Sequence, residues 1–300
     1  MPHAHHHPHL DPAAGDRRVA WAVAVNLALT VAQIAGGVLS GSLALVADAI
    51  HNLSDAVSLV IALCARRIAR RPADAAMTFG YGRAEVVAAL VNYTVLIAIA
   101  LYLVAEAAMR LADPPGVSGW IVVIVAGIAL VVDVITALLT WRMAKDSVNI
   151  RAAFLHNLAD AFGSVAVIAA GSLILLYDWR LVDPLATFGI AAYILLHAAR
   201  EVGPVMRILM LGSPDAPPLE VLRARLAEAE AVKDVHHLHL WQIDEHRCAL
   251  QAHLVVTQGA DFPTEITRAK ALLAREFGIT HATLELETPV SGCADQKACQ

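Results

Sequence analysis

Six runs of about twenty apolar residues limit how this chain can fold more than any other feature. They cover residues 19–39, 43–65, 86–109, 119–141, 152–177 and 184–202. A helix rises about 1.5 Å per residue, so each run is long enough to cross the roughly 30 Å of hydrocarbon in a bilayer. The composition agrees, because 58% of the residues are hydrophobic and only 16% are charged. The sequence therefore predicts an α-helical membrane protein with six transmembrane helices.

Basic residues are distributed unevenly between the two ends of these helices. Of the 14 Lys and Arg residues before Gly212, twelve lie at one set of helix ends, and only Arg110 and Arg180 lie at the other. Basic residues close to the ends of spans stay on the cytoplasmic side. We therefore expect both termini in the cytosol. The excess of Arg over Lys, 18 to 4, suggests a GC-rich bacterium, so the cytoplasmic membrane is the expected location.

Two of the predicted helices carry nearly the same ionisable motif. The second reads HNLSDA at residues 51–56, and the fifth reads HNLADA at residues 156–161. A charged side chain near the bilayer centre costs roughly 2.5 kcal/mol or more, so such residues normally mark a pathway or a site. His and Asp four residues apart lie on one face of a helix, one turn above the other. Counting inwards from the helix ends brings both pairs near the middle of the membrane.

Together the two motifs offer two imidazoles and two carboxylates, from His51, Asp55, His156 and Asp160. This N2O2 set suits a borderline divalent ion that accepts tetrahedral coordination, with zinc first. Two ionised Asp balance one Zn²⁺, and they equally balance two protonated His. The four residues therefore predict a transport site at which one metal ion exchanges for protons. Cadmium is hard to exclude, and cobalt, nickel and iron stay open.

Other ionisable residues in the apolar runs have less defined roles. We expect Asp48, three residues before His51, to line the path or its outer vestibule rather than to bind the metal ion. Asp133 has two interpretations, a proton relay along the path or a bond that joins two helices. Glu106 and His197 lie near predicted helix ends and are expected at the membrane interface.

Residues 1–18 form a separate segment that is rich in His and interrupted by Pro, with His3, His5, His6, His7 and His9. Such a low-complexity tract is expected to be disordered and to capture metal weakly. An expression tag is the competing interpretation. We place the six-helix domain at residues 19–211 and a short C-terminal tail at residues 291–300.

Residues 212–290 have the pattern of a small cytosolic domain. A helical stretch at 219–231 precedes two β-like runs at 235–243 and 248–257, a helix at 262–277 and a strand at 280–287. This αββαβ order predicts an α+β domain of the ferredoxin-like, split-βαβ type. Since alternate strand residues share a face, we expect His237 and His239 to point together and His236 to point away from them.

With these motifs in view, the chain resembles the cation diffusion facilitator family over residues 19–287. The resemblance rests on the paired HxxxD motifs, the segment FGYGRAE at residues 79–85 and the small terminal domain. It implies a homodimer that exports Zn²⁺ in exchange for protons, with the four membrane residues as the transport site. It also implies a regulatory zinc site near the dimer interface, formed by His236, His253, Glu285 and Glu287, where Glu285 replaces a His of some relatives. Met77 and Tyr81 replace the His residues of a further loop site, which we therefore do not expect.

The function predicted from the sequence is secondary active transport of divalent metal out of the cytosol. A membrane-anchored metal sensor is the alternative, although it would need metal ligands only in the terminal domain. An enzyme is disfavoured, because no HExxH-type motif or nucleophile accompanies the His and Asp pairs. Nucleic-acid binding is also disfavoured, because the net charge is −5 and no basic tract is present.

Overall fold

The computed structural model describes residues 27–141 and 148–290, with side chains for all of these except Asp55, Leu59 and residues 139–157. The N-terminal His tract and the C-terminal tail predicted above lie outside the described residues. Within the described ranges, the chain divides into two compact units. The first unit contains the described residues within Met1–Ile61 and Asn92–Ala199. The second contains the described residues within Ala62–Val91 and Arg200–Gln300.

The membrane part consists of helices, as the apolar runs predict. They are α1 (Leu27–Ser40 in its described part), α2 (Leu43–Ala69), α3 (Arg83–Ala112), α4 (Gly119–Trp141), α5 (Val148–Tyr177) and α6 (Val182–Leu209). Five helices of the described chain, α2 to α6, are long and apolar enough to cross a membrane, which confirms the predicted α-helical membrane fold. Helix α2 continues to Ala69, past the predicted end at residue 65, because the prediction followed only the apolar stretch. Arg66 and Arg67 lie in its last turn.

Helix α2 is packed on two sides by other helices of the bundle. On one side, Leu43 and Ala47 pack against Leu103 of α3 and Ala191 of α6. The other side of α2 packs against α4 and α5 through a cluster of Ala44, Leu45, Val122, Ala126 and Val167. Alanine is frequent in both clusters, and small residues let membrane helices approach closely. The helix that carries the first HxxxD motif is therefore held by several neighbours.

The C-terminal domain follows the predicted αββαβ order. Its elements are α7 (Leu219–Ala227), β1 (Val232–Gln242), β2 (Cys248–Val256), α8 (Phe262–Phe277) and β3 (His281–Glu287). The strand order is β1-β2-β3, with β1 antiparallel to β2 and β2 parallel to β3. The two parallel strands, joined by the α8 crossover, thus pair directly, so the predicted split between them is wrong, because no further strand of the described residues lies between β2 and β3. Helix α7 is shorter than predicted, because Val232 already belongs to β1.

A single apolar core joins the helices and the sheet of this domain. It contains Leu222 of α7, Leu250 and Leu254 of β2, and Leu273 of α8, all of which are almost completely buried. Alternation along β2 explains why Leu250 and Leu254 share this core. The sheet is thereby fixed as a rigid support for side chains that project from β1, β2 and β3.

Candidate functional site

The two HxxxD motifs are brought together in the helix bundle. His51 Nε2 of α2 lies 3.6 Å from Asp160 Oδ1 of α5, and the two side chains are only 12% and 10% exposed. One imidazole and one carboxylate from the predicted set are therefore neighbours inside the membrane part. Asp55 and His156 lie on the same two helices, one turn away from His51 and Asp160, but their side chains are outside the described part.

A cavity of about 460 Å³ opens beside this pair. Residues of α2, α5 and α6 line it, including Asp48, His51 and Asp160 among the ionisable ones. Much of the remaining wall is formed by small residues such as Gly163 and Gly189, which leave room between the helices. The rings of His51 and Tyr193 of α6 meet edge to face, with centroids 5.9 Å apart. The cavity can therefore admit a small ion to the His51–Asp160 pair.

Asp48 lines this cavity and belongs to a buried polar network that the sequence did not predict. Its carboxylate Oδ2 accepts a hydrogen bond of 2.8 Å from Gln33 Nε2 of α1, and Gln33 Oε1 accepts one of 3.1 Å from Asn52 Nδ2. Gln33 is completely buried, and Asp48 is 4% exposed. The signal that could have found Gln33 is its amide within an apolar run, since such groups normally hydrogen-bond across helices.

Asp133 of α4 makes a helix–helix hydrogen bond. Its Oδ2 accepts from Ser164 Oγ of α5 at 3.0 Å. The sequence left two roles open for Asp133, and this contact supports the one in which it joins two helices. Ser164 is almost completely buried, so this bond links α4 to α5 close to Asp160.

The start of α2 is fixed by a carboxylate from another helix. Asp183 of α6 accepts hydrogen bonds from Ser42 Oγ at 2.5 Å and from the backbone N–H of Leu43 at 2.8 Å. A carboxylate at a helix N-terminus satisfies donors that have no partner within the helix and also favours the helix dipole. Arg110 of α3 bonds Glu106 at 3.0 Å and the carbonyl of Gly41 at 2.7 Å. These bonds fix where His51 lies along the bundle.

The C-terminal domain contains a second cluster of imidazoles and carboxylates. Ligand atoms of His236, His253 and Glu287 lie within 4.8 Å of one another, a spacing that can hold a metal ion. His253 Nδ1 is 2.7 Å from Glu287 Oε1, and His236 Nε2 is 3.4 Å from Glu287 Oε2. His253 is 2% and Glu287 is 5% exposed. Three of the four predicted residues of this site thus converge.

Glu285 stands at the edge of this cluster. Its Oε2 lies 3.5 Å from His253 Nε2, and its side chain is 59% exposed. His281 lies at the start of β3, opposite Ala249, and its ring contacts Phe79 rather than the cluster. Asp234, which sequence reasoning missed, has Oδ2 3.2 Å from His236 Nδ1. Its position two residues before His236 on the same strand is the signal that could have found it.

The predicted alternation of the β1 histidines is wrong for His236 and correct for the pair His237 and His239. The register between β1 and β2 shifts between His236 and His239, so two residues of β1 face one of β2. Within this bulge His237 has a positive φ of 49°, which re-aims its side chain. The rings of both His236 and His237 therefore approach His253, with centroids 5.5 and 4.6 Å away. His237 and His239 do lie together, with ring centroids 4.7 Å apart.

The loop before α3 holds its acidic residue in hydrogen bonds. Asp74 accepts from the Tyr81 hydroxyl at 2.7 Å and from the backbone N–H groups of Ala76 and Met77 at 2.9 and 2.8 Å. The Tyr81 hydroxyl, followed by the two backbone donors, holds the pKa of Asp74 below its usual value. This carboxylate orders the loop around the FGYGRAE segment.

Comparison with known proteins places both parts of the chain. The family described as "Cation efflux transmembrane domain" matches residues 19–210, and the one described as "Cation efflux protein, cytoplasmic domain" matches residues 214–289. The chain belongs to the cation efflux family. The resemblance to the cation diffusion facilitators is therefore confirmed, and the chain is an integral membrane protein of a transporter family.

Several relatives are similar over nearly the whole chain. The metal cation efflux system protein CzcD of Cupriavidus metallidurans is 33% identical over 98% of this chain and 93% of its own. The zinc transporter ZitB of Pectobacterium atrosepticum is 35% identical, covering 95% and 89% of the two chains. A Bacillus subtilis protein named as a cadmium, cobalt and zinc/H⁺-K⁺ antiporter is 34% identical, covering 90% and 88%. These relatives are named for the efflux, transport or antiport of metal cations.

A solved structure also matches part of the chain. It is the metal-bound C-terminal domain of the CzcD transporter, which is 28% identical and covers 23% of this chain and 96% of that one, with a TM-score of 0.22.

Proposed function

We propose that this protein exports zinc from the cytosol by exchanging it for protons at the His51–Asp160 site. The observation that carries this proposal is the 3.6 Å approach of His51 Nε2 to Asp160 Oδ1 beside a cavity in the bundle. Ionisable groups in lipid are costly, and here two of them meet where a small ion can reach them. We assign Asp55 and His156 as the other two ligands, because each lies one helical turn from its described partner.

The donor set supports zinc as the preferred cargo. Imidazole nitrogen and carboxylate oxygen together suit Zn²⁺ in tetrahedral coordination, whereas manganese prefers oxygen alone. Such ligands also bind zinc less tightly than thiolates, which suits a site that must release its ion. Relatives are named for zinc and for cadmium and cobalt as well, so cadmium is a proposed second substrate.

Proton exchange follows from the chemistry of the same ligands. Zinc binds neutral imidazole and ionised carboxylate, so protons compete with the metal ion for His51 and Asp160. On the side with the lower pH, protonation of His51 favours release, and the proton replaces part of the positive charge that leaves with the ion. Alternating access of the cavity to the two sides then moves metal outwards and protons inwards.

We assign the C-terminal cluster of His236, His253 and Glu287 to metal-dependent regulation, with Glu285 at its margin. Its ligand atoms come from three paired strands, so a bound ion would tie the sheet together without a path through the membrane. We also propose that the protein acts as a homodimer in the bacterial cytoplasmic membrane, with both termini in the cytosol.

The test is ⁶⁵Zn²⁺ uptake into proteoliposomes under an imposed pH gradient. We expect uptake that depends on the gradient in the wild type and is abolished by Asp160→Asn, which preserves shape but removes the charge. Asp178→Asn, in the exposed turn before α6, is the matched control and should transport normally. Uptake that ignores the pH gradient would contradict proton exchange, and normal uptake by Asp160→Asn would contradict the site.

The same experiment separates transport from metal sensing. A sensor would bind zinc at the C-terminal cluster and would carry no flux. Absence of uptake by folded protein that still binds zinc would therefore overturn the transport proposal and favour the sensor.

A further inference from the structure

The cavity contains a carboxylate that the proposed zinc site does not use. Asp48 lies one turn before His51 on α2, lines the same cavity and is almost completely buried. It interacts electrostatically with His51, Asp133 and Asp160. A carboxylate on the wall of this cavity would attract a divalent cation bound there, because the local dielectric is low. Its orientation therefore matters for how tightly the site holds its ion.

Gln33 of α1 fixes that orientation. Its amide Nε2 donates to Asp48 Oδ2 at 2.8 Å, while its Oε1 accepts from Asn52 Nδ2 at 3.1 Å. In this arrangement the NH₂ end of Gln33 faces Asp48, and its carbonyl oxygen faces Asn52. Asn52 engages the opposite end of the amide and prevents it from turning over. One completely buried side chain thus joins two α2 residues that flank His51.

The other oxygen of Asp48 lies beside Gly163 of α5. A Cβ atom added at Gly163 would lie 3.1 Å from Asp48 Oδ1, which is tighter than ordinary van der Waals contact. Gly163 lies three residues after Asp160, on the wall of the cavity. The carboxylate therefore lies between Gln33 of α1 and Gly163 of α5, where the absence of a Cβ leaves room for it.

From these contacts we infer that Gln33 is a positioning residue that withholds Asp48 from the transported cation. This inference rests on the proposed function of the His51–Asp160 site. The proposed ligands include two carboxylates, which balance one divalent cation. A third carboxylate at the ion would leave one negative charge in excess and would slow release. By engaging Asp48, Gln33 sets the site to an affinity from which the ion can leave.

The test breaks the hydrogen bond without changing the size of the side chain. Gln33→Met has a similar length but no donor, so Asp48 becomes able to turn toward the cation. We expect the KM for ⁶⁵Zn²⁺ uptake to fall about tenfold and the maximal rate to fall with it, because a tighter site releases more slowly. In Gln33→Met, zinc binding measured at equilibrium should tighten by a similar factor. The binding that counts is the part that Asp160→Asn abolishes.

The second variant separates charge from shape. In Gln33→Met/Asp48→Asn the third carboxylate is absent, so KM and maximal rate should return to within about threefold of the wild type. Asp48→Asn alone is the reference for the double variant, and adding Gln33→Met to it should change KM by less than about threefold. The matched control is Asn92→Leu, which removes a different α2 contact, the 2.6 Å bond that Asn92 Oδ1 accepts from Ser58 Oγ, and should not lower KM.

Contrary results are equally distinct. An unchanged KM in Gln33→Met would overturn the inference, and so would a raised KM that Asp48→Asn does not restore, since that is what a merely structural role gives. If wild type and Asp160→Asn transport and bind zinc identically, the proposed function itself fails. That outcome is recognised before any Gln33 variant is compared.

Discussion

The membrane pair and the C-terminal cluster both combine imidazole with carboxylate, but they differ in the spacing and the burial of these groups. His51 and Asp160 come from separate helices, approach to 3.6 Å and border an open cavity. His253 and Glu287 come from strands of one sheet, approach to 2.7 Å and are almost completely buried. A sheet fixes its side chains in register, whereas helices in a membrane can shift against each other. This difference in geometry supports our proposal that the membrane pair serves passage of the ion and the C-terminal cluster serves its retention.

The largest expected effect comes from breaking the membrane pair. In His51→Leu the imidazole that meets Asp160 is lost, so we expect the initial rate of ⁶⁵Zn²⁺ uptake to fall by more than about a hundredfold, beyond the roughly 10–100-fold typical of outer-shell losses. Glu287→Gln, in the C-terminal cluster, should keep uptake within about threefold. Equal losses in the two variants would show that the two regions do not differ as we propose.

The next effect concerns retention of metal by the C-terminal cluster. We expect His253→Leu to weaken zinc binding at this site by at least about tenfold, because it removes the imidazole at its centre. Titration calorimetry on the full chain in an Asp160→Asn background isolates this site. His281→Leu is the matched control, since His281 lies on β3 against Phe79 and outside the cluster. Equal weakening by both variants would argue against the assigned ligands.

A smaller effect is expected at the bond between α4 and α5. Ser164→Ala removes the donor that reaches Asp133 at 3.0 Å. Hydrogen bonds between membrane helices contribute about 0.6 kcal/mol on average and up to about 1.7 kcal/mol. We therefore expect a loss of stability in that range, measured by denaturant unfolding in detergent. Ser172→Ala serves as control, because Ser172 Oγ bonds the carbonyl of Ile168 in its own helix.

The smallest effect is expected at an exposed ion pair of the C-terminal domain. Hydrogen bonds from Arg225, and then from Arg275, lower the pKa of Glu276 from 4.5 to about 2. A lowered pKa means that the pair stabilises the folded state above pH 4.5 and loses this contribution as the pH falls toward 2. Glu276→Gln should thus lower the melting temperature slightly at pH 7. The difference from wild type should shrink in acid, and a difference that grows there would contradict the assignment.

Much of the fold was predictable because its signals are local. The length of the apolar runs predicted the membrane helices. The alternation of apolar and polar residues between turn residues predicted the strands of the αββαβ order. The pairing of His51 with Asp160 was also predictable, since the cost of an ionisable group in lipid singles out both motifs wherever they lie. Cluster membership of His236, His253 and Glu287 came from the resemblance to relatives, because strand alternation alone does not specify which strands pair.

Other features depended on contacts that no local pattern contains. The bulge at His237 changes the direction of one side chain relative to β2, and a single extra residue in a strand has no clear sequence signature. Gln33 reaches Asp48 only because α1 packs against α2, so its role follows from helix packing and not from its neighbours in the chain.

The sequence by itself determined that this chain is a membrane protein of six apolar segments, and it identified the costly ionisable residues within them. The cost of a charge in lipid depends on the residue type and on the hydropathy of the surrounding segment, and both are visible in the sequence. Only the tertiary structure decided which carboxylate is engaged by Gln33 and how β1 presents its histidines. These outcomes are set by distances of a few ångströms between segments far apart in sequence.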